Sequence, residues 1–66
     1  MIISLNGRPH ELAAECSIAA LLDSLGLTGR PLAVELDEAA LLPREYAEAM
    51  VRAGARVEIV TIAAGG

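Results

Sequence analysis

Only one stretch of this chain carries a full amphipathic helical stripe, and it is short. Ile18, Leu21, Leu22 and Leu25 fall at i, i+3, i+4 and i+7, behind Ser17, which suits an N-cap, and ahead of Gly26, which suits a helix C-terminus. Elsewhere the apolar residues alternate with polar ones or gather in short β-branched runs. A lone amphipathic helix has no second helix against which to bury its stripe, so it must lie on a sheet. The fold class that follows is α+β, a mixed four- to five-stranded sheet packed on one main helix.

The strands can be placed in turn. Met1, Ile3 and Leu5 alternate with Ile2 and Ser4, giving a first strand. Asn6-Gly7 comes next, a strong hairpin signal because both residues tolerate positive φ. Residues 8–14 are the returning strand, where Pro9 removes a donor and marks an edge. After the helix and a loop at Thr28-Gly29-Arg30-Pro31, residues 32–36 form a third strand that turns at Asp37-Glu38, and residues 39–42 a short fourth. Pro43 opens a helical turn over 44–50, Gly54 breaks it, and 56–62 is the last strand. With no repeat and no linker, 1–66 reads as a single domain with a flexible tail at 63–66.

Composition narrows the function. The chain has 66 residues, 55% of them hydrophobic, yet Tyr46 is its one aromatic side chain. No stacking platform for bases exists, and a net charge of −4 is the wrong sign for nucleic acid. An acidic protein instead suits a partner with a positive docking face. No run approaches the ~20 apolar residues that span a bilayer. The start lacks the basic segment and long apolar segment of a secretion signal, and the single Cys16 cannot build a disulfide framework. A cytoplasmic protein with no membrane and no nucleic-acid partner is expected. All five basic residues are arginine, so no side chain can accept an isopeptide bond.

The sequence closes on Ala63-Ala64-Gly65-Gly66, directly behind the β-branched run from Val57 to Ile62. Glycine is poor material for finishing a strand, but it offers a carboxylate on the thinnest possible stalk. Gly66 is therefore the candidate reacting group, with Gly65, Ala64 and Ala63 as a slim stalk able to enter a narrow channel. The chain carries no triad, metal cluster or phosphate loop of its own. It reads as a protein co-substrate and not an enzyme.

Strand parity adds a candidate surface. If Glu58 faces water, Val57 and Ile59 face inward and Val60 and Ile62 share the outer face with Glu58. Two exposed β-branched residues beside the tail would mark a partner surface. The competing reading is that the fourth strand or the Pro43 loop covers them. Arg44 is a further candidate partner contact. Glu45, Glu48, Arg44 and Arg52 otherwise read as a solvated helical face with i,i+4 pairs. Tyr46 reads as a core plug. Cys16, beside the predicted helix start, is a rival reactive group through its thiol, although lone cysteines are commonly buried and structural. His10 has no ligand partner at metal-site spacing.

The ordered set of features resembles the ThiS family of thiamine-pathway sulfur carriers. It comprises a first strand ending in Asn6-Gly7, the Leu21-Leu22 helix, Leu42-Pro43-Arg44-Glu45-Tyr46, Gly54, Val57-Glu58-Ile59-Val60 and the closing Gly65-Gly66. The resemblance implies a ubiquitin-like β-grasp fold. It further implies that a ThiF-like, E1-type adenylyltransferase uses ATP and Mg²⁺ to adenylate Gly66, the carrier itself binding no cofactor. Sulfur supplied through a cysteine desulfurase or sulfurtransferase then converts the adenylate to a thiocarboxylate, which the thiazole synthase ThiG consumes. Two positions depart from the family pattern: Asp37 stands where Asn is usual, and Ala55 where Asp is usual. The first keeps the turn habit; the second removes a turn acceptor and predicts a looser approach to the last strand.

Other readings share parts of this pattern. The small subunit of molybdopterin synthase also ends in Gly-Gly, but such chains are usually longer and richer in aromatics near the tail. A sulfur carrier for another metabolite, a ubiquitin-like protein modifier, and a simple interaction domain are the remaining alternatives, since fold alone does not assign function.

Overall fold

The helix forms where its apolar spacing places it. In the computed structural model, which describes residues 1–63, α1 spans Ile18–Ser24. Ser17 holds an extended backbone, and its hydroxyl accepts the Ala20 N–H at 3.1 Å. The two preceding donors find carbonyls outside the helix: Ile18 N–H bonds Ala49 and Ala19 N–H bonds Tyr46, each at 2.9 Å. The first three donors of the helix are thus all satisfied within the protein. At the other end Gly26 adopts φ +73°, and the Leu27 N–H reaches back to the Leu22 carbonyl at 2.8 Å. This is a Schellman closure, with glycine in the left-handed position it needs.

The main sheet has five strands in the order β2-β1-β7-β4-β5. These are β1 (Ile2–Leu5), β2 (Arg8–Glu11), β4 (Leu32–Leu36), β5 (Ala39–Leu41) and β7 (Arg56–Thr61). β1 and β7 run parallel, and every other neighbouring pair is antiparallel. This mixed sheet with one helix is the ubiquitin-like β-grasp arrangement.

Both hairpins turn on residues with positive φ, as two-residue type I′ turns require. Asn6 and Gly7 stand at 51° and 79°, Asp37 and Glu38 at 50° and 71°. Each turn is also tied to β7. Asp37 Oδ1 accepts the Arg56 N–H at 2.9 Å, and the Asp37 N–H donates to the Arg56 carbonyl at 2.8 Å. The Asn6 side chain does more. Its Oδ1 accepts the Ile59 N–H at 2.7 Å and its Nδ2 donates to the Ile59 carbonyl at 3.1 Å, extending the parallel β1–β7 ladder beyond the last backbone pair, Leu5 with Val57.

Three expectations need correction. The returning strand stops at Glu11 instead of 14, because the last rung to the first strand is Leu12 N–H to the Met1 carbonyl at 2.8 Å. The expected helical turn over 44–50 shrinks to a 3-10 turn at Pro43–Glu45. The carbonyls of Tyr46 and Ala49 accept the N–H groups of Ala19 and Ile18 at the start of α1. Met50–Val51 instead forms a short strand, β6, antiparallel to β3 (Cys16–Ser17) in a second, two-stranded sheet. Finally, the approach to the last strand is held firmly. Ala55 is buried, its carbonyl accepts the Ser4 N–H and its N–H donates to the Arg52 carbonyl, both at 2.9 Å.

Ile3, Val34, Val57 and Ile59 from the sheet meet Ile18, Leu21 and Leu22 from α1, with Val51 and Ala55 completing the buried core. Tyr46 packs half-buried against this cluster, as a core plug should. No helix among the described residues is long and apolar enough to cross a membrane.

Replacing Asn6 by alanine removes both bonds to Ile59 and leaves a Cβ-bearing residue in a left-handed turn. Urea unfolding is expected to show a loss of about 2–3 kcal/mol. A loss below about 0.5 kcal/mol, the scale of ordinary surface changes, would show that water substitutes for the amide.

Candidate functional site

The sequence candidates converge on the outer face of the sheet where β7 ends. Val57 and Ile59 are buried, while Val60 is 62% and Ile62 54% exposed. The parity reading therefore describes this strand, and neither the fourth strand nor the Pro43 loop covers the two side chains. Register widens the patch. Ala33 on β4 lies opposite Val60, and Val34 pairs with Leu41 on β5. Continuing that register by one residue brings Leu42, itself exposed, abreast of Ala33. Val60 and Ala33 thus sit side by side in an apolar row on the outer face, with exposed Leu42 just past the end of β5 and Ile62 just past the end of β7.

The tail leaves this face from a fixed point. The Ile62 N–H bonds the Pro31 carbonyl at 2.9 Å, tying the end of β7 to the start of β4. Ala63 follows, exposed. Four residues, 63–66, can extend about 13 Å at roughly 3.3 Å each. The candidate residues Ala64, Gly65 and Gly66 lie outside the described residues.

Arg44 is exposed on the 3-10 turn, two residues past Leu42. The expected i,i+4 pairs around it do not form. Glu45 turns back so that its Oε1 accepts the Leu42 N–H at 2.7 Å, and Arg52 pairs instead with Glu15 at 3.2 Å. Losing the helix at 44–50 removes the face on which those pairs depended. Glu45 instead fixes the backbone of exposed Leu42, which makes it a positioning residue for the patch.

Beside the apolar row runs a charged one. Glu58 lies opposite Glu35, and Arg56 reaches both Glu58, at 3.7 Å, and Glu38, at 3.2 Å. This row separates the Val60 patch from Ile2, which is exposed toward the far end of the same face. The other tempting residues lie elsewhere. Cys16 is half-buried on β3 against the core, and His10 is on β2 opposite Ile3. Among the described residues no group of three His, Cys, Asp or Glu side chains could hold a metal ion. Leu42, Ala33 and Glu35 are members of this surface that the strand reading did not single out. Counting parity outward from the Asp37-Glu38 turn would have found them.

Comparison with known proteins adds to this geometry. A family model described as the ThiS family matches residues 3–66. A protein named thiazole synthase from Paramagnetospirillum magneticum (strain ATCC 700264 / AMB-1) is 33% identical over 66 residues, which is 100% of this chain. The chain spans only 20% of that relative's length. Among solved structures, the crystal structure of the thiamine biosynthesis protein ThiS from Geobacter metallireducens superposes with a TM-score of 0.86. It is 26% identical, and the match covers 100% of both chains.

Adjacent residues of β7 give a direct check on which face is free. Ile59→Ala should lower the unfolding free energy by about 2–4 kcal/mol, as for other buried aliphatic truncations. Val60→Ala should stay within about 0.5 kcal/mol of the parent. Equal losses in thermal melts would mean that the outer face is packed after all.

Proposed function

The chain belongs to the ThiS family, the small sulfur carriers of thiamine biosynthesis, and from that premise we propose that its sulfur rides on the carboxyl group of Gly66. A carboxylate resists nucleophiles, because its charge repels them and it holds no good leaving group. Activation attaches one: a carboxylate oxygen of Gly66 attacks the α-phosphorus of ATP, and pyrophosphate departs. A ThiF-like adenylating partner supplies the Mg²⁺ and the donors that stabilise the charge. The terminal sulfur of a persulfide, provided through a cysteine desulfurase or sulfurtransferase, then attacks the acyl carbon and expels AMP. A thiol takes the outer half of the resulting acyl disulfide, leaving the thiocarboxylate on Gly66 and a disulfide on the donor. The carrier's share is presentation, and this assigns it no catalytic residue and no cofactor of its own.

The observation that carries this reading is how the chain is anchored just before the tail. Among the described residues the last backbone bond is Ile62 N–H to Pro31, beside the exposed Val60 and Ile62. A partner can grip the apolar row while the stalk enters its active site. Small residues at 63–66 suit a narrow channel, with Gly65 free to take angles that a Cβ forbids. Val60, Ile62 and Arg44 are assigned to that grip. The sulfur acceptor is assigned as a thiazole synthase. In support, the relative of that name holds, within one fifth of its length, a segment that matches this whole chain. We place these steps in the cytoplasm.

Pyrophosphate exchange with a purified ThiF-type enzyme tests the tail. Gly65→Val should melt like the parent yet show no exchange, and removing Gly66 should do the same. Normal turnover of either variant would count against the channel. Intact mass of protein taken from its own cell should show one oxygen replaced by one sulfur. A ladder of conjugates would point to a protein modifier instead.

A further inference from the structure

We propose that the activating enzyme reads the Val60 face together with a cation, an arginine or lysine of that enzyme seated between Glu35 and Glu58. The proposal rests on the reading of the tail given above and names the chemistry of the partner surface. The β4–β7 register sets Glu35 directly opposite Glu58. Like charges facing one another across an antiparallel pair oppose the fold. Glu35's neighbours two residues along the chain are Ala33 and Asp37, and its other cross-strand partner is Ala40. The one cation beside it among the described residues is Arg56, its diagonal neighbour on β7. Arg56 is already divided between Glu58 and Glu38, and among the described residues no ion pair reaches Glu35.

Both glutamates are accessible, Glu35 exposed and the Glu58 side chain 38% exposed. The row next to them along the strands is Ala33 and Val60. An apolar side chain of the partner laid on that row would exclude water from the edge of the glutamate pair. A guanidinium bridging the two carboxylates there makes charge-assisted bonds that strengthen as water leaves. The net charge of −4 draws such a surface in from a distance. Two facing carboxylates only partly offset by Arg56, beside an exposed apolar patch, match a partner surface that sets a cation next to an apolar side chain.

The test is steady-state adenylation by the purified ThiF-type enzyme, comparing the parent with Glu35→Gln, Glu58→Gln and Glu35→Lys across a salt series. The glutamine variants should melt at or above the parent temperature. KM should rise about tenfold at low salt for Glu35→Lys with kcat unchanged, and the parent's own KM should climb with salt more steeply than the variants'. Unchanged KM and an unchanged salt slope overturn the cation. A loss confined to capture by a thiazole synthase, with adenylation intact, overturns the assignment to the activating enzyme. Failure of the parent itself to be adenylated is a different result, and sinks the reading of Gly66.

Discussion

The side-chain amide of Asn6 holds the architecture together. One residue turns the first hairpin and clasps the backbone of Ile59, 53 positions away in sequence. Without that clasp the parallel contact between β1 and β7 would rest on the short stretch from Ser4–Arg56 to Leu5–Val57 and the rungs beside it. Everything functional hangs from β7. Its inward side chains, Val57 and Ile59, anchor the core; its outward ones make the surface beside the tail. The register that the amide helps to hold decides which is which, since a slip of one residue would exchange the two faces.

The start of α1 shows how a small protein closes its accounts without spare parts. Seven residues of helix would ordinarily leave several N–H groups to water. Here Ser17, Tyr46 and Ala49 take the first three, so the irregular segment from the 3-10 turn to β6 is held against the helix by main-chain bonds as well as by Tyr46. The same segment carries Arg44, and Glu45 within it fixes Leu42. One end of the apolar row is thus tied, through a few bonds, to the packing of the helix on the other side of the sheet.

Much of this was legible in the residues. The helix, the Leu32–Leu36 strand, both turns and the facing of Val60 and Ile62 follow from spacing and from residues that tolerate positive φ. The segment after Pro43 was not. Its local pattern favours a helix. What overrides the pattern is the pairing of Met50–Val51 with β3, together with the bonds from α1 to Tyr46 and Ala49, tertiary effects with no local trace. Leu42 and Glu35 went unnoticed for a related reason: their importance depends on what lies across the strands, and strand order is not written in any one segment. The Asn6 clasp is of the same kind. Asn-Gly announces the turn, but nothing nearby announces Ile59.

The position of β7 has a mechanical consequence. It lies in the middle of the sheet, bonded on one side to β1 and on the other to β4. Hydrogen bonds between strands run across the strand direction. Tension applied to the end of the chain is therefore borne in shear, by many rungs at once, instead of peeling them apart singly as it would from an edge. A protein built this way can be pulled on from beyond β7 and let go again with its body intact.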